Sequence, residues 1–305
     1  MSRRADHGPS LGDYLKAWPQ YLLPSHTLSR VMHALTRSGS PLMRRWFMRW
    51  FVHHFRVDMS IAQESTLDAY ANFNAFFTRA LRPDARPIAD DRDAVISPVD
   101  GTVSQAGVID HGCLLQAKGR EYSLLQLLGG DQQRAAQFAG GAFATFYLSP
   151  RDYHRIHMPL NGRLRAMSHI PGRLFSVNAA TTRVIPGLFA RNERVVAYFD
   201  TDAGPMALVL VGAIFVGSIE TVWAGEISPP AGHHLRHWHY EGDESLRLAK
   251  GEEMGRFNMG STVIVLFGRD AVRWSPTLQP ATAVQVGQQI GDLHHDGSTE
   301  GNDQA

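Results

Sequence analysis

Three short segments carry side chains whose types and spacing could do covalent chemistry. Gly260-Ser261-Thr262 interrupts the apolar run Arg256–Phe267, which otherwise reads as a buried strand. A serine hydroxyl beside a glycyl carbonyl could attack it if the peptide is strained and a base is near. Asp100 lies in the turn Ser97-Pro98-Val99-Asp100-Gly101, and His154 and His157 lie in the segment Ser149–Pro159. Asp, His and Ser are the types that orient a base, act as one and attack. Serine must lose its proton near neutral pH, histidine titrates there, and a carboxylate fixes the imidazole tautomer. Each segment also has an ordinary reading. The tripeptide could be a β-bulge, and Asp100 only a turn residue. His154 and His157, three apart, could share a helical face and bind a metal, but no Asp, Glu or Cys stands at an obvious ligand spacing. His233, His234, His237 and His239 follow a Pro-Pro-Ala-Gly stretch and read as a solvated loop, so no metal is expected. Cys113, the single cysteine, sits in His111–Leu115 like a turn entering a strand. It permits no intramolecular disulfide and suits a reducing compartment.

The elements that must position these groups fall into two textures. Residues 11–82 read as helical. Ser25 is placed to cap a helix carrying Leu28, Val31, Met32 and Leu35 at i, i+3, i+4, i+7. Ser40-Pro41 opens another, with Trp46, Phe47, Trp50 and Phe51 on one side and Arg44, Arg45 and Arg49 interleaved. After the turn-rich Leu81–Ile88, short apolar runs suggest strands at 94–96, 101–104, 142–148, 195–200, 207–216 and 262–267, with one helix at 124–138 following Ser123. The expected fold class is α+β: basic amphipathic N-terminal helices, then a mainly antiparallel β-rich catalytic body. The expected division is a helical membrane-associating region (1–82), a catalytic domain (83–293) and a disordered polar tail (294–305).

Charge is unevenly spread. Residues 1–57 hold nine Lys/Arg against Asp6 and Asp13, a balance of +7, which leaves −6 on the rest of a chain whose total is +1. A basic, aromatic-rich front suits an anionic lipid surface. The alternative is aromatics packed onto the body and arginines merely solvated. The longest apolar run, about Met206–Val216, is far short of the ~20 residues a membrane-spanning helix needs. The first ten residues lack the apolar core of a signal peptide.

Longer stretches carry a resemblance. Asn74–Arg79, Leu115–Gly119, Tyr147–Pro159, Leu174–Asn178, Leu188–Val195, Val211–Gly225 and Lys250–Thr262, in that order, resemble the bacterial phosphatidylserine decarboxylases, pyruvoyl-dependent enzymes of phospholipid synthesis. The likeness runs from about Leu11 to Gly291. Met259 stands where many relatives have Leu, and Val99 where alanine is common; neither touches a reacting atom.

The resemblance implies a proenzyme that cuts itself between Gly260 and Ser261. Ser261 attacks the Gly260 carbonyl, His157 is the base and Asp100 orients it. Loss of the Cα proton, hydration and release of ammonia turn Ser261 into a pyruvoyl group. The products are a β chain (1–260) and a 45-residue α chain (261–305) that stay together as a heterodimer. The pyruvoyl ketone then forms an imine with the amine of phosphatidylserine and accepts electrons as CO₂ leaves, giving phosphatidylethanolamine. His154 is assigned to decarboxylation and reprotonation, and Asp152 to tuning the histidine pair; Arg191 and Arg194 are candidates for the headgroup phosphate. A peripheral protein on the cytoplasmic side of the inner membrane is expected, with no nucleic-acid partner. Two rivals use the same residues differently: a Ser-His-Asp hydrolase that keeps its chain whole, and a non-enzymatic membrane-binding module.

Overall fold

The architecture is taken from a computed structural model, which describes residues 9–117, 119–215, 218–228, 234–242 and 246–294. Arg3, Arg4, His233 and all of the expected tail except His294 lie outside the described residues.

A nine-stranded antiparallel sheet forms the centre. Its main path runs Arg236–His239, Gly162–Ile170, Arg194–Thr201, Gly204–Val211, Thr262–Arg269, Gly141–Tyr147, Gly101–Val108, Ala283–Val284, and Arg247–Leu248 also pairs with Gly162–Ile170. Thr262–Arg269 is the middle strand. Thr262 pairs with Tyr147 on one side and Val211 on the other, and Val263 to Leu266 are fully buried. A run of β-branched and large apolar side chains, buried on both faces, is what such a position selects. A four-stranded sheet lies beside it in the order Gly225–Ser228, Ile219–Thr221, Glu253–Phe257, Arg155–His157, and a three-stranded one pairs Ala94–Ile96, Gln289–Leu293 and Val272–Trp274.

The expected strands form, with shifted ends: the run at 207–216 is paired only over Gly204–Val211, and that at 101–104 continues to Val108. The single helix expected over 124–138 is two, Leu124–Leu127 and Gln132–Phe138. Gly129 and Gly130 take φ of +80° and +89° between them, which ends the first, and Asp131 caps the second through Arg134 N.

The N-terminal helices are α1 (Leu11–Ala17), α2 (Ser25–Thr36), α3 (Met48–Phe55) and α4 (Phe73–Phe77). Ser25 is the first residue of α2 rather than its cap; Pro24 takes that position and no side chain caps it. The burial of α2 is inverted. Its polar Ser25, Ser29 and Thr36 are buried, while Val31 and Leu35 face outward. Polar groups tie it to the body: His26 Nε2 to Gly172 O (2.9 Å), His33 Nε2 to Glu226 (2.7 Å) and Arg37 Nη2 to Glu226 (3.2 Å).

A π-helical turn at Met43–Phe47 precedes α3. The aromatics expected on one side of that helix divide. Phe47 and Phe51 enter a cluster with Met48, Val57, Tyr70, Phe73, Phe76 and Phe77, whereas Trp46 and Trp50 are exposed. This aromatic cluster is separate from the main core, though Met259 packs against it, and Ala17 of α1 belongs to the main core.

Candidate active site

Three chain crossings meet where the sheets adjoin. The segment 258–261 carries the chain from the four-stranded sheet into the central strand Thr262–Arg269, and 148–154 makes the reverse passage beside it. Leu148 N donates to Ser261 O (2.9 Å), and Phe257 N to His154 O (3.0 Å). The turn at 97–100 joins the three-stranded sheet to the central one, and His157 N donates to Pro98 O (2.8 Å). Register thus brings together segments far apart in sequence.

Ser261 and His154 are fully buried, and neither Ser261 Oγ nor His154 Nε2 has a hydrogen-bond partner among the described residues. Native proteins rarely leave such groups unpaired, because each costs about 1–3 kcal/mol. His154 Nδ1 donates to Asp152 O (2.8 Å), so the lone pair is on Nε2. Burial, against the help of that hydrogen bond, pushes the His154 pKa from 6.5 down to about 3, and the imidazole is neutral. A Cβ on Gly260 would lie 2.8 Å from His154 Nε2 and 3.2 Å from Leu148 O, so only glycine fits against that ring. Met259, just before it, has φ of +144°, a region L side chains rarely enter, at a cost of about 1–3 kcal/mol. Phe77 of α4 covers the His154 ring, with centroids 4.1 Å apart.

His157 is held at both nitrogens. Nδ1 donates to Gly251 O (2.7 Å), and Nε2 accepts from the Tyr153 hydroxyl (3.1 Å). Burial lowers its pKa, while the Asp100 charge acts through space in the opposite sense. The expected hydrogen bond from Asp100 to His157 is not formed in this arrangement. Arg86 grips the Asp100 carboxylate through Nε (2.8 Å) and Nη2, and Val286 N donates to it (2.9 Å). Arg86 lies in the turn-rich stretch before the first strand, and nothing in its sequence context marks it as a partner of Asp100. Tyr153 stands between Asp152 and His154 in a segment read only for its histidines.

Asp152 reaches His154 through its backbone. Its carboxylate accepts from Ser149 N and Oγ (both 2.7 Å), which closes the loop that presents the Asp152 carbonyl. Burial raises its pKa despite those bonds. Neither arginine suggested for the phosphate fits. Arg194 uses its guanidinium on the carbonyls of Leu127, Asn192 and Gln126, and Arg191 packs over Tyr21 and Phe175 at the N-terminal region. Among the described residues no group of three or more His, Cys, Asp or Glu is placed to hold a metal; His237 Nδ1 is bonded to Ser168 Oγ (2.9 Å).

Residues 73–292 match the family model described as phosphatidylserine decarboxylase, and residues 15–56 match a second one described as PSD. The chain belongs to the phosphatidylserine decarboxylase family. Relatives bearing the name phosphatidylserine decarboxylase proenzyme include one from Nitrosococcus oceani, 57% identical over 283 residues, covering 93% of this chain and 92% of the relative. One from Alkalilimnicola ehrlichii is 57% identical over 267 residues (87% and 93%), and one from Shewanella loihica 52% identical over 284 (92% and 99%). The match spans both the helical front and the β body, so every segment of the joint described above lies within the shared sequence of this pyruvoyl-dependent decarboxylase family.

Proposed function

We propose that the chain is a proenzyme that cuts its own Gly260–Ser261 peptide and then decarboxylates phosphatidylserine to phosphatidylethanolamine. The observation that carries this reading is the unpaired Ser261 hydroxyl in a dry joint beside a glycine that the His154 ring excludes from being anything larger. Ser261 Oγ attacks the Gly260 carbonyl and the amide becomes an ester. Removal of the Ser261 Cα proton expels the Gly260 carboxylate and leaves dehydroalanine. Hydration and loss of ammonia then leave a ketone at the front of the 261–305 piece. The pieces stay together because Thr262–Arg269 is hydrogen-bonded on both edges.

Asp100, His157 and Ser261 form the self-cleavage set, with His157 as base. Support comes from the Asp100 charge acting on the His157 ring; the Tyr153 hydroxyl, which donates to Nε2, must yield that nitrogen before it takes the proton. Making the direct Asp100–His157 contact requires Arg86 to yield the carboxylate. His154, neutral and bare at Nε2, holds and returns the proton during decarboxylation. The residues fit a pyruvoyl group at 261: Ser261 and His154 are fully buried and Ser261 Oγ has no hydrogen-bond partner among the described residues. That group supplies a covalent electron sink for the charge left by CO₂. A second reading makes His154 the base for the cut as well, and its contact with Gly260 favours it.

The N-terminal region, proposed as 1–82, seats the enzyme on an anionic membrane as a peripheral protein of the inner membrane's cytoplasmic face. Supporting this, α2 turns Val31 and Leu35 outward, Leu22 is 89% and Trp46 74% exposed, and no described helix is long and apolar enough to cross a bilayer. A two-chain lipid costs about 0.8 kcal/mol per CH₂ to draw into water, so the enzyme should come to the lipid.

Intact mass measurement tests the reading. The purified chain should give two pieces with a blocked N-terminus at residue 261, and Ser261→Ala one piece. His157→Ala should stay whole, and His154→Ala should cut yet release little CO₂. A whole His154→Ala chain with a cut His157→Ala chain selects the second reading. An active, uncut chain with serine at 261 refutes both.

A further inference from the structure

A cavity of about 340 Å³ is lined in part by Tyr70, Thr78, Arg79, Arg155 and Arg256. Arg79 is the unusual member. It is 3% exposed, yet no carboxylate lies within ion-pair distance of it among the described residues. Its one side-chain hydrogen bond runs from Nη2 to Arg151 O (3.3 Å), and its Nε has no partner. Burial depresses its pKa. The charges of Asp100, Asp152 and Asp58 act on it only through space, and a buried guanidinium with no directly paired carboxylate is costly to build. Arg256 Nε is also buried without a hydrogen bond, although Glu253 (3.3 Å) and Glu220 (3.6 Å) lie near that side chain. Arg155 is matched by Glu253 (2.8 Å) and Thr78 O (2.9 Å). Glu64, the cavity's one lining carboxylate, is exposed.

Two of its lining residues tie the cavity to the reacting segment. Arg155 follows His154 directly, Arg79 holds the residue before Asp152, and the Arg79 charge lowers the proton affinity of His154. We propose that Arg79, backed by Arg155 and Arg256, is the subsite that holds the phosphodiester of the lipid headgroup. This rests on the decarboxylase reading and deepens it. In the lipid the phosphorus is one methylene and one oxygen from the carbon that loses CO₂, so a site beside His154 has the right reach. A cation gripping the carboxylate would stabilise the ground state and oppose its departure, whereas the phosphodiester keeps its charge throughout. The flat guanidinium fork suits phosphate oxygens.

The test uses processed enzyme, its cut confirmed by intact mass, with phosphatidylserine in mixed micelles. Arg79→Gln should raise KM about 10- to 100-fold with kcat nearly unchanged, the loss expected for a charge-assisted pair. Arg79→Lys should recover part of it, and Arg256→Gln should show a smaller rise. Soluble glycerophosphoethanolamine should inhibit wild type competitively and lose its grip on Arg79→Gln in parallel. An unchanged KM in Arg79→Gln overturns the proposal, and so does a fall in kcat alone, which would mean that Arg79 acts through His154. Inhibition by inorganic phosphate that depends on Arg79 while KM for the lipid does not would assign the site to free phosphate and overturn it too. If Arg79→Gln fails to cut, Arg79→Lys and Arg256→Gln decide by the same KM criterion. Processed wild type that releases no CO₂ from phosphatidylserine would sink the decarboxylase reading itself.

Discussion

Acid should loosen this fold through His154, and the size of the effect follows from its burial. In the unfolded chain the imidazole takes a proton near pH 6.5; in the fold it resists until about 3, because desolvation disfavours the charged form. The folded pKa is the lower of the two. The neutral ring therefore carries no penalty above pH 6.5, and stability falls with pH from there until about 3, where the loss levels off. Each unit is worth about 1.36 kcal/mol, so the His154 contribution at pH 5 is on the order of 2 kcal/mol. His157 acts in the same direction, and the carboxylates have slopes of their own, so a difference measurement is needed. Urea unfolding of Ser261→Ala, kept whole by the substitution, is compared with Ser261→Ala/His154→Gln from pH 8 to 4. Glutamine does not titrate, and the other groups cancel to first order. The gap between the two should shift by about 2 kcal/mol between pH 7 and 5 in favour of the glutamine variant. Parallel curves would refute the assignment of a dry, neutral His154.

Further outcomes follow from the joint and from the N-terminal region. Gly260→Ala places a Cβ 2.8 Å from His154 Nε2; overpacking of about 1–3 kcal/mol should slow self-cleavage at least about tenfold in a timed denaturing gel, and normal cutting would mean that the ring moves freely. Leu22→Ser/Trp46→Ser removes exposed apolar surface and should weaken binding to anionic liposomes by about 10- to 100-fold while cutting proceeds, whereas deleting residues 1–57 should impair both.

The deletion differs from what the sequence suggests, where the helical front reads as an anchor separable from the chemistry. Met48, Phe51 and Val57 are buried in the cluster that also holds Phe77, and Phe77 lies on His154. The helical spacing of those side chains was legible. Their partner was not, because an apolar stripe looks alike whether lipid or protein covers it. Phe47 and Phe51 form one i,i+4 row and Trp46 and Trp50 the neighbouring one, and only the first enters the cluster.

Strands were legible where an apolar run ends at turn residues, as at Ala94–Ile96 and the start of Thr262–Arg269. The helix at 124–138 was overextended because Gly129-Gly130 was not weighed as a stop. The site's residue types were legible from three segments, but their meeting depends on strand register, which periodicity does not specify. Arg194 illustrates the limit. A cation before an apolar strand resembles a ligand arm until three carbonyls are seen to take its donors.

The joint brings several unfavourable features together in one place. Ser261 Oγ and His154 Nε2 lack partners, and Met259 is held at positive φ. Each costs on the order of 1 kcal/mol or more, and the central sheet compensates by burying Val263–Leu266 and pairing both edges of their strand. The proposed cut after Gly260 would free Met259 from its constrained φ while leaving every strand pair of Thr262–Arg269 in place. A bond placed at the seam between two sheets is therefore one the fold can break without coming apart.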